Sequence, residues 1–174
     1  DEPARILRSS FQTFSSLLAG AEPMDLDVMD DATLQAKVEE RLYRYDPLRV
    51  NFHLIRICAR DGRVILEGVV PSTSMKRMAE TLARAVPGVR EVQNDLISDP
   101  EIEAELGLRL AADPDLSPPR ARVLVTSVQG DVTLAGWVPD EAARQRAEEI
   151  ARSVRGVRNV VNNLRVKALA RRAA

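Results

Sequence analysis

The chain has 174 residues, a net charge of −1 and only six aromatic residues, so any core must be built from Val, Leu, Ile and Ala. A single cysteine, Cys58, excludes an intrachain disulfide, and one His with one Cys cannot assemble a usual zinc site. No run approaches the roughly 18 consecutive apolar residues of a membrane-spanning helix. Positive charge is nearly all arginine, 22 Arg against 3 Lys, and residues 140–174 hold nine basic against four acidic groups.

Residues 4–18 contain neither Gly nor Pro, and Leu7, Phe11, Phe14 and Leu18 recur at the spacing of an amphipathic helix. Gly20 stops it, and an acidic linker with Pro23 follows. The stripe can dock on one of the domains, make an oligomer or lie on a membrane; its polar side is rich in Ser rather than Lys and Arg, which favours docking on a domain. No signal peptide is visible and the first residue is Asp1, so the sequence reads as a mature or trimmed form.

From Asp31 onward the sequence repeats at an offset of 68 without a gap. Residues 31–98 laid on 99–166 give 22 identities, 17 of them between Gly62 and Ser98. Such a period is too long for a solenoid unit and fits a small duplicated domain. The chain therefore divides into an N-terminal helix and linker at 1–30, domains at 31–98 and 99–167, and a basic tail at 168–174.

Each repeat reads helix, strand, strand, helix, strand. Asp31 is expected to cap a helix over 32–45, with Leu34, Val38 and Leu42 inward; its copy spans 100–112 with Ile102, Leu106 and Leu110. Asp46-Pro47 and Asp113-Pro114 end these helices, because the residue before proline avoids the helical region. Strands follow at 51–60 and 63–70, and at 120–128 and 131–138, joined by tight turns at Asp61-Gly62 and Gln129-Gly130. Ser72 and Asp140 cap second helices that stop before Gly88 and Gly156, and last strands cover 89–97 and 157–166. The fold class is α+β: two tandem αββαβ domains, each a three-stranded mixed sheet with two helices on one face, plus the N-terminal helix.

Alternation assigns Ile55, Ile57, Val64, Leu66, Val70, Val92 and Leu96 to the helix-covered face, with Gly68, and Gly136 in the second repeat, on it to let a helix approach. The opposite face carries Leu54, Cys58, Ile65, Val69 and Ile97 in the first repeat, and Leu124, Thr133, Ala135, Trp137 and Val161 in the second. Arg56, Arg63, Arg122 and Arg165 lie among them. A sheet apolar on both faces needs a second cover, which the other domain, a ligand or a partner can supply. His53 and Cys58 sit five apart on a predicted strand and point to opposite faces, so they make no catalytic pair. No phosphate-binding glycine loop is present, and no catalytic, metal or cofactor site is expected. Nucleic acid is disfavoured as a partner, because only Trp137 could stack a base and no GxxG loop exists.

The segments Gly68-Val69-Val70-Pro71 with Gly88-Val89-Arg90-Glu91-Val92-Gln93-Asn94-Asp95-Leu96, and Gly136-Trp137-Val138-Pro139 with Gly156-Val157-Arg158-Asn159-Val160-Val161-Asn162-Asn163-Leu164, resemble the BON domain, named for bacterial osmotically inducible and nodulation proteins. The resemblance covers 32–167, and tandem copies are common in that family. It implies a non-enzymatic envelope module, usually periplasmic, associated with phospholipid binding, membrane integrity and osmotic stress. Its motif residues are structural, so no ligand contact carries over from them. From the residues themselves, Trp137, Leu124 and Val161 are expected to give apolar contact to an anionic phospholipid or membrane surface, while Arg122 and Arg165, with Lys167, hold its phosphates. The alternative is a structural interaction module that packs on envelope proteins or forms a homo-oligomer, with Leu7, Phe11, Phe14 and Leu18 as the contact.

Overall fold

A computed structural model describes residues 29–167; the stripe of Leu7, Phe11, Phe14 and Leu18 and the tail at 168–174 lie outside the described residues. The first unit runs α1 (Asp31–Tyr43), the one-turn α2 (Asp46–Arg49), β1 (Ile55–Arg60), β2 (Arg63–Val70), α3 (Thr73–Arg84) and β3 (Glu91–Ser98). The second runs α4 (Asp99–Ala112), β4 (Arg122–Val128), β5 (Asp131–Val138), α5 (Glu141–Ser153) and β6 (Asn159–Val166). The architecture is the α+β one expected, with two three-stranded mixed sheets.

In each sheet the middle strand pairs antiparallel with the first and parallel with the last. The antiparallel pair is closed by two residues of positive φ, Asp61 and Gly62 at 50° and 78°, Gln129 and Gly130 at 55° and 81°. This mirror-image turn matches the right-handed strand twist. A parallel pair needs a crossover, and α3 and α5 supply it. Ser72 accepts from the Met75 amide at 3.2 Å and Asp140 from the Ala143 amide at 2.8 Å, so both crossover helices start where the sequence placed their caps.

The first helix of each unit begins differently. Asp30, not Asp31, caps α1, accepting from the Thr33 amide at 2.7 Å. Asp31 lies inside the first turn and reaches across to accept from the Asp61 amide at 2.7 Å. Asp99, its counterpart, is buried and accepts from the Gln129 amide at 2.7 Å, the Gly130 amide at 2.9 Å and Ser127 Oγ at 2.6 Å. A carboxylate at a helix start is favoured by the helix dipole, and here it also satisfies hairpin-turn amides.

Asp46-Pro47 both follows one helix and opens another, since proline suits the first helical turn. Leu48 on that turn is fully buried, and Leu116 in the matching place of the second unit is buried too. β1 therefore starts at Ile55 rather than at residue 51, and β4 at Arg122 rather than at 120. His53 falls in a 3-10 turn (Phe52–Leu54), not on a strand.

Leu34, Val38 and Leu42 of α1 and Ala79 and Ala83 of α3 pack on Ile57, Val64, Leu66 and Leu96 of the first sheet, and the second unit repeats this with its own helices. Gly68 and Gly136 serve a purpose other than the helix approach expected of them. A Cβ on Gly68 would lie 1.9 Å from the Leu54 carbonyl oxygen, and one on Gly136 2.0 Å from that of Arg122, with φ at 124° and 125°. It is the backbone entering the neighbouring strand, not a helix, that demands glycine.

The two units are joined without a linker. Ser98 ends β3 and caps α4, and Val69 and Ile97, on the outer face of the first sheet, pack into the core of the second unit. Lys76 on α3 bonds Glu101 on α4 at 2.8 Å, and the Gln129 side-chain amide donates to Asn51 Oδ1. Partial burial works against the ionised Glu101, but hydrogen bonds from Lys76 and Ser98 outweigh it, so the carboxyl is held below its ordinary range.

Gly136→Ala is expected to destabilise the protein by about 3 kcal/mol in urea unfolding, through both the carbonyl clash and the positive φ. Gly107→Ala, in the interior of α4 with nothing near a new Cβ, should stabilise by about 0.5–1 kcal/mol. For Glu101, a depressed folded pKa means that its contribution is present above the ordinary carboxylate range and lost as pH falls through the depressed value. Glu101→Gln should therefore lower stability in urea unfolding at pH 7 by less than about 1 kcal/mol, a difference that shrinks as acid protonates the carboxyl.

Candidate functional site

Alternation along β4, β5 and β6 places every second side chain on the face away from α4 and α5. Strand register sorts these into rows across the sheet. Arg122, Trp137 and Arg165 form one row, Leu124, Ala135 and Asn163 the next, and Thr126, Thr133 and Val161 the third. Adjacent strands lie about 4.8 Å apart, so the two guanidinium side chains flank the indole directly. Leu124 is its diagonal neighbour, while Val161 lies two rows away, about 13 Å along the strand.

This face is open among the described residues. Leu124 is 56% exposed, Val128 62% and Val161 43%, and Arg122 and Arg165 are exposed. Trp137 is half-buried, with Lys167 Nζ 5.7 Å from its ring centroid. Lys167 continues the ladder past β6, its amide bonding the Val138 carbonyl at 2.8 Å. A shallow groove follows, lined by Ala135, Gly136, Trp137, Asn163, Arg165 and Lys167. The ion pairs of the second unit use Arg109, Arg120, Arg144, Arg146 and Arg152; among the described residues none uses Arg122 or Arg165.

The corresponding face of the first unit is occupied differently. Its row equivalent to Trp137 and Arg165 is Val69 and Ile97, which the second unit covers. The rest is a polar network in which Arg63 donates to Gln93 at 2.9 Å, Gln93 to Asp95 at 2.6 Å, and Arg63 lies 3.6 Å from Glu91. At the matching positions the second unit has Asp131, Val161, Asn163 and Asn159, which make no such side-chain network among the described residues.

The structure thus brings Arg122, Trp137, Arg165 and Leu124 together and leaves Val161 at the far end of the same face. Sequence reasoning placed Ala135 on this face without assigning it to a groove, and did not name Asn163; both line the groove. Their signal was the strand register, which a hydrophobic pattern alone does not supply. Chemically the face offers an apolar shelf ringed by three cations, suited to a ligand with an apolar body and an anionic head. Cys58 is exposed on β1 and His53 sits in the preceding turn. Among the described residues no cluster of His, Cys, Asp or Glu could hold a metal ion, and no helix is long and apolar enough to cross a membrane.

Comparison with known proteins finds the BON domain twice, at residues 30–97 and 98–168. The chain is 32% identical over 153 residues to osmotically-inducible protein Y of Escherichia coli, covering 80% of this chain and 74% of that protein. It is 29% identical over 144 residues to the outer membrane lipoprotein DolP of Haemophilus influenzae, covering 76% and 72%. It is 28% identical to a 21 kDa hemolysin of Actinobacillus pleuropneumoniae, again over 76% of this chain and 72% of the relative.

Proposed function

From the premise that the chain belongs to the BON-domain family, with two copies in tandem, we propose that it is a non-enzymatic binding module of the bacterial envelope or periplasm, acting in envelope maintenance or osmotic stress, and that the open face of its second unit binds anionic phospholipid. Relatives named as an osmotically inducible protein and an outer membrane lipoprotein support the setting. The observation that carries the ligand class is the row of Arg122, Trp137 and Arg165 with Lys167 beside it. An indole suits the boundary between apolar chain and polar head, and guanidinium groups match phosphate oxygens in a fork that lysine lacks. The face sums three cations against the single Asp131, so it attracts anionic surfaces and should release them as salt rises.

Co-sedimentation with vesicles of phosphatidylglycerol and phosphatidylcholine tests this. The unsubstituted chain should pellet with the anionic vesicles, and Trp137→Ala combined with Arg165→Ala should weaken the binding about tenfold, as loss of one or two kcal/mol of contact implies. Equal pelleting of both proteins would sink the site.

A second reading is favoured by a specific observation: the row equivalent to Trp137 and Arg165 in the first unit is a protein-docking surface. On that reading the face receives an envelope protein or a second copy. Sedimentation velocity decides for the second copy. A dimer abolished by Trp137→Asp supports it, and a monomer at all concentrations removes it.

A further inference from the structure

The two outer faces differ along their middle strands as well as in the row of Arg122, Trp137 and Arg165. Every second residue of β5 points outward, and in order from the indole these are Trp137, Ala135, Thr133 and Asp131. Their counterparts on β2 are Val69, Glu67, Ile65 and Arg63. Long side chains therefore stand along the centre of the first sheet, whereas Ala135 and Thr133 leave the centre of the second sheet low.

The flanking strands of the second sheet stand higher. On β4 the outward side chains beyond Arg122 are Leu124, Thr126 and Val128, all exposed; on β6 they are Asn163, Val161 and Asn159, also exposed. Ala135 and Thr133 between them are half-buried. Two short side chains between two exposed walls make a trough, its walls about 10 Å apart from backbone to backbone and its length about 20 Å from Trp137 to Asp131. The groove beside Trp137 and Lys167 shares Ala135 with it.

The ends of the trough are of opposite charge. At one, Arg122, Arg165 and Lys167 surround the indole; at the other stands Asp131, paired across the strands with Val128 and Asn159. Between the ends the walls offer Leu124 and Val161, large apolar side chains left exposed among the described residues. An occupant that suits the whole trough has an anionic group at the Trp137 end and an unbranched apolar body that extends toward Asp131. With Leu124 and Val161 filling part of the width between the outer strands, there is room for one chain and not for two.

We propose that the trough binds the single acyl chain of a lysophospholipid, held as an individual molecule rather than as part of a surface. The proposal rests on the phospholipid reading of the same face and narrows it. The phosphate is held among Arg122, Arg165 and Lys167, and the chain starts against the indole and lies over Ala135 and Thr133 between Leu124 and Val161. Asp131 repels an anionic head at the far end and so fixes the direction of the ligand.

Alkyl phosphates of graded length, each below its micelle concentration, test this with the unsubstituted chain, and Trp137, its sole tryptophan, reports binding by its emission. Full burial of a methylene strengthens binding about fourfold, and cover on one side gives about twofold. Decyl phosphate should therefore bind on the order of fiftyfold tighter than butyl phosphate, whereas tetradecyl phosphate, which reaches the polar end at Asp131, should gain less than about fourfold over decyl phosphate. Ala135→Gln gives the trough a side chain as long as that of Glu67 without its charge, and should cut the ratio of decyl to butyl affinity at least about tenfold. Decyl phosphate that binds no tighter than butyl phosphate overturns the proposal. So does a gain that continues undiminished to tetradecyl phosphate, because a surface without a trough has no end, and so does an unchanged ratio in Ala135→Gln. If the gain with chain length is absent while anionic vesicles still pellet the protein, the face receives a membrane surface only and the broader phospholipid reading stands; if neither vesicles nor any alkyl phosphate binds, both fall.

Discussion

The burial of Val69 in the core of the second unit, with Ile97 packed against that core, is the constraint on which the rest of the molecule depends. A three-stranded sheet with two helices on one side leaves its other side facing water, and apolar residues there need a cover. In the first unit the cover at that end is the second unit itself. Because β3 passes into α4 with Ser98 serving both, the chain has no slack in which the units could separate. Lys76 with Glu101 and Asn51 with Gln129 add polar contacts along the same seam. The outer face of the first sheet is thereby used, and only the second sheet presents its equivalent row to solvent among the described residues.

Positions identical in both repeats hold the units in shape. Asn94 donates to the Lys76 carbonyl and to Glu80 at 3.0 Å each, and Asn162 donates to the Arg144 carbonyl at 3.0 Å and Glu148 at 3.1 Å. Each thereby ties the last strand to the crossover helix and satisfies its own side-chain amide. The bond from Asn162, together with Arg152, holds the Glu148 carboxyl below its ordinary range. Such residues identify the family and say little about a ligand, since their hydrogen-bonding capacity is spent inside the fold.

The alternation of apolar residues made the inner faces legible, because a strand with one buried side can hold only one register. The hairpin turns were legible for the same reason that they form, as Gly62 and Gly130 tolerate positive φ. Other features were not. Asp30 and Asp31 are chemically alike, and only the position of the hairpin turn decides that one caps the helix and the other receives the Asp61 amide. The need for glycine at 68 and 136 arises from a carbonyl oxygen fourteen residues earlier, at Leu54 and Arg122, which local spacing does not reveal. For the candidate face, the sequence supplied its residues by parity. The strand register was needed to separate Leu124, beside Trp137, from Val161 at the far end.

The two outer faces share one backbone and differ in what their side chains do with one another. In the first, Arg63, Gln93, Asp95 and Glu91 satisfy each other, so a ligand would have to break bonds already made. In the second, the equivalent positions hold Asp131, Val161, Asn163 and Asn159, and the row above them exchanges Val69 and Ile97 for Trp137 and Arg165. That exchange turns a surface able to disappear into a neighbouring core into one that resists such burial, because a guanidinium enters a core only with an anionic partner. An exposed apolar shelf that keeps its cations therefore favours an occupant that brings its own negative charge. This argues for an anionic surface ahead of a neutral protein face, and it locates the difference chiefly in one row, where Arg122, Trp137 and Arg165 stand for Leu54, Val69 and Ile97.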